Sequence, residues 1–173
     1  AGYRTGKGSS HQRIGPFKLF IDGSLGARTA LLRQDYADDP GNRGIECISA
    51  EDAEALVRRA DDAGMQVSIH CIGDAAICRI LDIYEKVLAG GPNLHRHGII
   101  HCQIMDEEML DRIVRDGIVV QAQPIFLHYD MHIAEARVGK ALAESSYPFG
   151  TLYRRGAPIS YGTDAPVEDL NPF

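Results

Sequence analysis

Residues 65–101 read MQVSIHCIGDAAICRILDIYEKVLAGGPNLHRHGIIH, and this stretch decides the fold. The apolar run Met65–His70 predicts a strand. Asp74 is a predicted cap for the helix that follows, whose apolar residues recur at steps of three and four until a Gly-Gly-Pro sequence ends the pattern. Gly98–His101 predicts the next strand. A strand, a helix and a strand in this order indicate a βα unit that feeds a parallel sheet.

The same alternation extends in both directions from this segment. Ser49 is a predicted cap for an upstream helix, with Asp52 in a capping-box arrangement and Gly64 at the end of the helix. Asp106 is expected to cap a downstream helix, which Gly117 closes. The predicted strands are Pro16–Ile21, Met65–His70, Gly98–His101, Ile118–Gln123 and Ala157–Gly162.

A longer excursion, residues 126–156, separates the last two predicted strands. It contains helical patterns at Ile133–Leu142 and Leu152–Arg155. Five strands with at least four helical segments between them are too few to close an eight-stranded barrel. We expect residues 16–173 to form one domain and residues 1–15, which are polar and rich in glycine, to be a flexible N-terminal segment.

The composition indicates one soluble globular unit, because 45% of the 173 residues are hydrophobic. Acids and bases are mixed along a chain of formal charge −6, so no basic face is expected for nucleic acid or an anionic membrane. No run approaches the ~18 apolar residues of a spanning helix, and the opening residues lack the apolar stretch of a signal peptide. We therefore expect a cytoplasmic protein. The cysteines lie in apolar stretches without C-x-x-C spacing and are expected to be reduced and structural.

Three of the predicted strands end in a side chain that binds metals well: His70, His101 and Asp164. Because the carboxyl ends of parallel strands open onto one face, we expect these side chains to converge. Imidazole nitrogen and carboxylate oxygen suit zinc, manganese, iron or nickel. A histidine that ends a buried strand is more often a hydrogen-bonded core residue than a ligand. The coincidence at three strand ends nevertheless favours a metal site.

Lys18 lies inside the apolar strand FKLFI, where a buried lysine needs a reason. In one interpretation its stem lies along apolar surface while its ammonium group reaches water. In the other, a neutral lysine reacts with CO₂ to give a carbamate, whose two oxygens bridge metals. The residues alone favour the first interpretation.

Five short motifs occur in order: KLFIDGSLG at 18–26, HCIGD at 70–74, HCQ at 101–103, QP at 123–124 and GTDAPV at 162–167. Together they resemble the amidohydrolase superfamily, in particular its branch similar to N-substituted formamide deformylase. The resemblance covers nearly the whole chain from Phe17 to Phe173. The ordered set is far more specific than any single motif.

The resemblance implies a partial TIM (β/α)₈ barrel, an α/β fold whose strands correspond to barrel strands 4 to 8. It implies metal ligation by Lys18, which the family frequently carboxylates, and by His70, His101 and Asp164. The implied cofactor is a divalent metal, zinc, with about one or two ions in the complete protein. The implied catalytic residues are Asp164 and His101, and Asp164 both contacts metal and moves a proton as general base.

Departures from the family pattern matter as much as the matches. The H-x-H pair that the family supplies from its first barrel strand is absent, so we expect this chain to be a fragment that is inactive by itself. Ile100 stands where the family usually has glutamate, and Ala75 where an arginine often follows Gly-Asp. These two departures affect which substrates are expected, and they do not change the expected metal ligands.

The implied function is hydrolysis of C–N bonds in small amides, formamides or cyclic amides by metal-activated hydroxide. The alternative is a non-catalytic α/β fragment that self-associates or binds a partner through exposed sheet edges. We expect a homo-oligomer. A nucleotide-binding module is disfavoured because no glycine-rich phosphate motif follows a strand.

Several polar residues near the expected rim rank lower as site candidates. The turn Asp22-Gly23-Ser24 is placed to approach substrate, although an ordinary tight turn explains it better. Gln123 and His128 are expected to line the pocket. The histidines expected at the surface or in support of the site are His11, His95, His97 and His132.

Overall fold

One parallel sheet of five strands, in the order β1-β2-β3-β4-β5, forms the centre of the molecule. A computed structural model describes residues 2–171. Because every neighbouring pair of strands is parallel, all five carboxyl ends lie along one rim. This confirms the predicted α/β fold with five parallel strands. The strands are β1 (Phe17–Phe20), β2 (Val67–Cys71), β3 (Gly98–His101), β4 (Val119–Ala122) and β5 (Ile159–Tyr161).

Helices cover one face of the sheet. Ile69, Ile99 and Val120 point from the strands into a core that they share with the apolar faces of the first three helices. Side chains alternate along a strand, so His70 points to the opposite face. The helices are α1 (Ala50–Asp62), α2 (Asp74–Leu88), α3 (Glu107–Arg115), a 3₁₀ helix (Pro124–Phe126), α4 (Leu127–Asp130), α5 (Ala134–Val138), α6 (Lys140–Ser145) and α7 (Phe149–Arg154).

Side-chain caps start α1 and α3 as the sequence predicted. The side chain of Ser49 accepts a hydrogen bond from the amide of Asp52, and that of Asp106 accepts one from the amide of Met109. The predicted Asp74 cap is wrong by one residue. Gly73 occupies the N-cap position of α2, and the carboxylate of Asp74 binds Arg33 instead.

The excursion after β4 differs from its prediction. The helical pattern expected over Ile133–Leu142 forms two short helices, α5 and α6, that meet at Gly139. The φ and ψ angles of Gly139 are 76° and 161°, an extended conformation with positive φ that glycine adopts readily and that interrupts a helix. The pattern expected over Leu152–Arg155 corresponds to α7, which begins three residues earlier at Phe149.

The opening segment contacts the amino end of β2. The Oγ1 atom of Thr5 accepts a hydrogen bond of 2.9 Å from the amide of Gln66, and Gly8 forms an antiparallel bridge with Arg13. The flexibility of residues 1–15 stays a prediction. Ala1 at the start of that segment, and Pro172 and Phe173 at the end of the expected domain, lie outside the described residues.

None of the helices in residues 2–171 is both long enough and apolar enough to cross a membrane.

Candidate metal site

The rim brings the expected ligands toward one another through strand register. His70 is the penultimate residue of β2 and His101 the last residue of β3. Cys71 pairs with His101, so the two histidines lie one step apart on adjacent strands. Lys18 of β1 pairs with Ser68 of β2. Because Ser68 lies two residues before His70, Lys18 is on the same face of the sheet as His70 and closer to the amino ends of the strands. Asp164 follows the end of β5 at Tyr161.

The two histidine side chains are in direct contact. Their ring centroids are 4.5 Å apart, with the planes at 73° in an edge-to-face arrangement. Phenyl rings flank the pair, since Phe20 lies 5.1 Å from His70 and Phe126 stacks on His101 at 5.7 Å. The imidazoles therefore share one site with partly apolar walls.

The hydrogen bond of His70 fixes which ring nitrogen is free. Its Nε2 lies 2.9 Å from the carbonyl oxygen of Gly23. A carbonyl only accepts, so Nε2 carries the proton and Nδ1 holds the lone pair. Burial lowers the pKa of His70; the charge of Lys18 lowers it further, while Gly23 and Asp164 oppose the shift. The ring is accordingly neutral near pH 7, as a metal ligand must be.

His101 is buried, and its Nδ1 atom is a buried polar atom without a hydrogen-bond partner in the described chain. Burial lowers the pKa of His101 to about 3, with smaller contributions from the charges of His70 and Lys18 and partial opposition from Gln123. An unpartnered buried polar atom is costly. A cation that accepted this lone pair would remove the cost, so both histidines fit a metal site.

Lys18 and Asp164 lie close enough for their charges to shift the pKa of His70. Lys18 is exposed, and its Nζ atom lies 4.6 Å from the centroid of the Phe20 ring. This exposure agrees with the interpretation that the residues alone favoured, in which the ammonium group reaches water, and it arises because β1 has only one neighbouring strand among the described residues. Asp164 is exposed at the rim.

Among residues 2–171, no three His, Cys, Asp or Glu side chains lie close enough together to hold one ion. The structure thus places His70 and His101 in contact, with Lys18 and Asp164 near enough for their charges to act on His70. The assignment of all four as ligands stays a prediction.

Asp22 has a larger structural role than its sequence context suggested. It is 2% exposed, and its carboxylate accepts hydrogen bonds from the amides of Leu31, Ile72 and Gly73. Burial raises its pKa to about 6, although the three amides oppose this shift. Asp22 directly follows the predicted strand Pro16–Ile21, just as His70 and His101 lie at the ends of their predicted strands. This position at a strand end was the one sequence signal for its role at the rim.

The lower-ranked candidates fall into two groups. Gln123 is buried beside His101 with an unpartnered Oε1 atom, whereas His128 is exposed and contacts Tyr129. His97 is fully buried at the opposite end of β3, so a surface position is wrong for it. The histidines found at the surface, as expected, are His11, His95 and His132.

Comparison with known proteins gives a consistent result. A sequence model of the amidohydrolase family matches residues 1–173. YtcJ of Bacillus subtilis (strain 168), which carries a provisional amidohydrolase name, is 37% identical over 161 residues, covering 92% of this chain and 30% of YtcJ. Protein LONG AFTER FAR-RED 3 of Arabidopsis thaliana is 38% identical over 162 residues, covering 92% of this chain and 28% of that protein.

A solved structure agrees with these relatives. The crystal structure of an uncharacterized metal-dependent hydrolase from Pyrococcus furiosus matches with a TM-score of 0.86 and 31% identity, over 97% of this chain and 34% of that one. Such similarity confirms that the sheet is part of a TIM barrel. The chain spans about a third of the length of the relatives that it matches.

Proposed function

The chain belongs to the amidohydrolase family, and from this premise we propose that it is part of a metal-dependent hydrolase that cleaves C–N bonds. The substrates we propose are small amides, formamides or cyclic amides. In this proposal the five strands are barrel strands 4 to 8, and the complete protein supplies the remaining strands. The chain by itself is expected to be inactive, because a pair of ligands from the first barrel strand is missing from it.

One observation carries the proposal: two neutral imidazoles touch at adjacent strand ends, 4.5 Å between centroids. The Nδ1 atom of His101 has no hydrogen-bond partner among the described residues. The hydrogen bond to Gly23 leaves the Nδ1 lone pair of His70 available. Two available imidazole lone pairs in one site are a suitable start for a divalent metal site.

The metal we propose is zinc, held by His70, His101, Asp164 and Lys18. Imidazole and carboxylate donors suit this ion. When bound, the metal lowers the pKa of water and polarises a substrate carbonyl. The carbamate form of Lys18, with two oxygens, would bring a second anionic donor to the site.

The protein residues have separate tasks in this reaction. The Asp164 carboxylate accepts the proton of the attacking water and returns it to the leaving nitrogen. His101 and His70 stay neutral and hold the site in place. The phenyl rings of Phe20 and Phe126, which lie against the two histidines, exclude water from that side and orient an apolar part of the substrate.

The test uses the complete protein that contains this chain. Zinc content and the hydrolysis of a panel of amides, formamides and cyclic amides are measured for the wild type, His70→Ala and Asp164→Ala. We expect about one or two zinc ions in the wild type, with loss of zinc in His70→Ala and loss of hydrolysis in both variants. His132→Ala, which changes an exposed histidine, is the matched control. Unchanged zinc content and hydrolysis in the first two variants would refute the proposal.

A second candidate function is self-association through the outer strands. Phe17 and Phe20 of β1 are 36% and 51% exposed, and Tyr161 of β5 is 43% exposed. Exposed apolar side chains on outer strands favour pairing with another chain. Size-exclusion chromatography of the 173-residue chain tests this candidate. A concentration-independent monomer would contradict it.

A further inference from the structure

We propose that Asp22 is a positioning residue for the metal site: it holds His70 in the tautomer with the proton on Nε2 and so presents the Nδ1 lone pair to the metal. The inference rests on the proposed function for the identity of that ligand. The placement of the proton rests on contacts within this chain alone. The two parts are therefore testable separately.

Asp22 ties together three segments at the rim. Its Oδ2 atom accepts hydrogen bonds from the amides of Leu31 at 2.9 Å and Gly73 at 2.8 Å. Its Oδ1 atom accepts one from the amide of Ile72 at 3.1 Å. One buried carboxylate thereby links the end of β1 to the loop before α1 and to the turn between β2 and α2.

The same carboxylate faces His70. Its Oδ1 atom lies 3.5 Å from Nε2 of His70, and the carbonyl oxygen of the next residue, Gly23, lies 2.9 Å from the same nitrogen. Both atoms are acceptors, so both favour a proton on Nε2. The hydrogen bonds of the Asp22 side chain help to hold the Asp22-Gly23 segment, and the amide of Gly23 also donates to the carbonyl oxygen of Thr29 at 3.0 Å. Asp22 thereby contributes to the direction of the Gly23 carbonyl.

A carboxylate suits this position better than an amide. Three backbone N–H groups and the Nε2–H group of His70 converge on two oxygens that only accept. An asparagine would turn one acceptor into an NH₂ donor. If that donor faced His70, it would favour a lone pair on Nε2 and move the proton to Nδ1, which is the atom needed for the metal.

Asp74 provides a matched control. It is also a buried carboxylate, 3% exposed, and it also accepts backbone hydrogen bonds, from Arg33 at 3.0 Å and Ala75 at 3.0 Å. Its ion pair is with Arg33, and none of its hydrogen bonds or ion pairs within residues 2–171 involves His70. Asp74→Asn therefore changes a loop anchor of the same kind without changing the acceptors around the histidine.

The first measurement is the tautomer of His70 in the metal-free chain. Histidine is labelled with ¹⁵N, and long-range ¹H–¹⁵N spectra are recorded at about pH 8, where a histidine of ordinary pKa is neutral. We expect the Nε2–H tautomer in the wild type and in Asp74→Asn, and a shift toward Nδ1–H in Asp22→Asn. An unshifted tautomer in Asp22→Asn, or an equal shift in both variants, would overturn the proposal.

Circular dichroism establishes whether each variant folds. If Asp22→Asn does not fold, the same spectra are recorded for Asp22→Glu, whose side chain is one methylene longer and so displaces the carboxylate from Nε2 of His70. A smaller share of the Nε2–H tautomer than in the wild type would support the inference, and an equal share would overturn it. The histidine signals are assigned with His70→Gln.

The second measurement is zinc affinity in the complete protein, by competition with a chelator. Loss of a partner that orients a ligand typically weakens metal binding about 10–100-fold, and we expect this for Asp22→Asn but not for Asp74→Asn. Equal zinc affinity in Asp22→Asn and the wild type would reject the positioning role. Failure of the wild type to bind zinc would instead reject the proposed function, and the tautomer measurement would still report on Asp22.

Discussion

Single residues at the rim adopt backbone conformations that most side chains avoid. The φ angles of His101, Cys102 and Asp164 are 75°, 55° and 56°, in the left-handed region where a non-glycine residue costs roughly 1–2 kcal/mol. Strain of this kind persists where the surrounding structure holds it, often at functional sites. We infer that it helps to aim His101 and Asp164 toward the site.

The sequence predicted where His70 and His101 stand, because each ends an apolar run before a helix pattern. It could not predict the tautomer of His70, which depends on the carbonyl of Gly23, 47 residues away. The apolar run around Lys18 does not reveal that β1 is an outer strand of the described sheet. The contacts of Asp22 could not be predicted either, because its partners Leu31, Ile72 and Gly73 lie 9, 50 and 51 residues away.

Gly73, in the turn between β2 and α2, lies against the backbone of Leu31. A Cβ at Gly73 would lie 2.0 Å from the carbonyl oxygen of Leu31. We expect Gly73→Ala to lower the free energy of unfolding by about 1–3 kcal/mol, because backbone must move to make room. Gly15→Ala is the control, since no atom lies within 4 Å of its Cβ position. Urea denaturation measures both, and equal stabilities would contradict the packing.

His97 is predicted to make stability depend on pH. Its Nε2–H group donates to Asp61 at 2.9 Å, and its Nδ1 accepts from the amide of Val67 at 3.1 Å. Protonation of Nδ1 would break the second bond, and burial lowers the pKa of the ring. The unfolded chain therefore binds a proton first, so stability decreases as the pH falls below about 6.5.

Urea denaturation between about pH 5 and 8 checks this contribution. We expect His97→Gln to show a shallower loss of stability toward acid than the wild type, because an amide donates and accepts without titrating. His70 and His101, whose pKa values are also lowered, remain in both proteins. Identical pH profiles would show that His97 does not contribute.

At the scale of elements, the strands were predicted within two residues of their observed ends. This accuracy follows from the short apolar runs bounded by glycine or by a capping residue. The excursion after β4 was predicted less well. The apolar spacing carries no signal of Gly139, where the backbone adopts a positive φ with an extended ψ and one helical pattern divides into two short helices. The cap of α2 was displaced because the carboxylate of Asp74 binds Arg33.

The packing of α2 against α3 depends on a partly buried ion pair. Arg112 of α3, with a side chain 10% exposed, pairs with Glu85 of α2 at 2.7 Å and also with Asp82. We expect Arg112→Ala to lower the free energy of unfolding by about 1–3 kcal/mol, because it removes packing as well as charge.

Lys140→Ala is the matched control for this experiment. Lys140 and Glu144 lie 3.8 Å apart, with side chains 73% and 67% exposed, so their loss is expected to change stability by less than about 0.5 kcal/mol. Chemical denaturation compares the two variants. A larger effect in Lys140→Ala than in Arg112→Ala would contradict this account of the helix layer.

At the scale of the whole molecule, the parallel sheet brings residues from distant positions to one rim. The sequence could predict this convergence, because strands that alternate with helices form a parallel sheet, and the carboxyl ends of parallel strands all lie along one edge. It could not predict how closely Lys18 and Asp164 approach the histidines. Both are exposed at the two sides of the described sheet, and their final positions in our proposal depend on the rest of the complete protein.

In our proposal His70 and His101 bind one metal ion at this rim. Anomalous diffraction at the zinc edge from crystals of the complete protein locates that ion. We expect a zinc peak at about 2.0–2.1 Å from a nitrogen of each ring, with the proton of His70 still directed at the carbonyl of Gly23. A zinc peak elsewhere, or no peak between the two histidines after zinc addition, would contradict it.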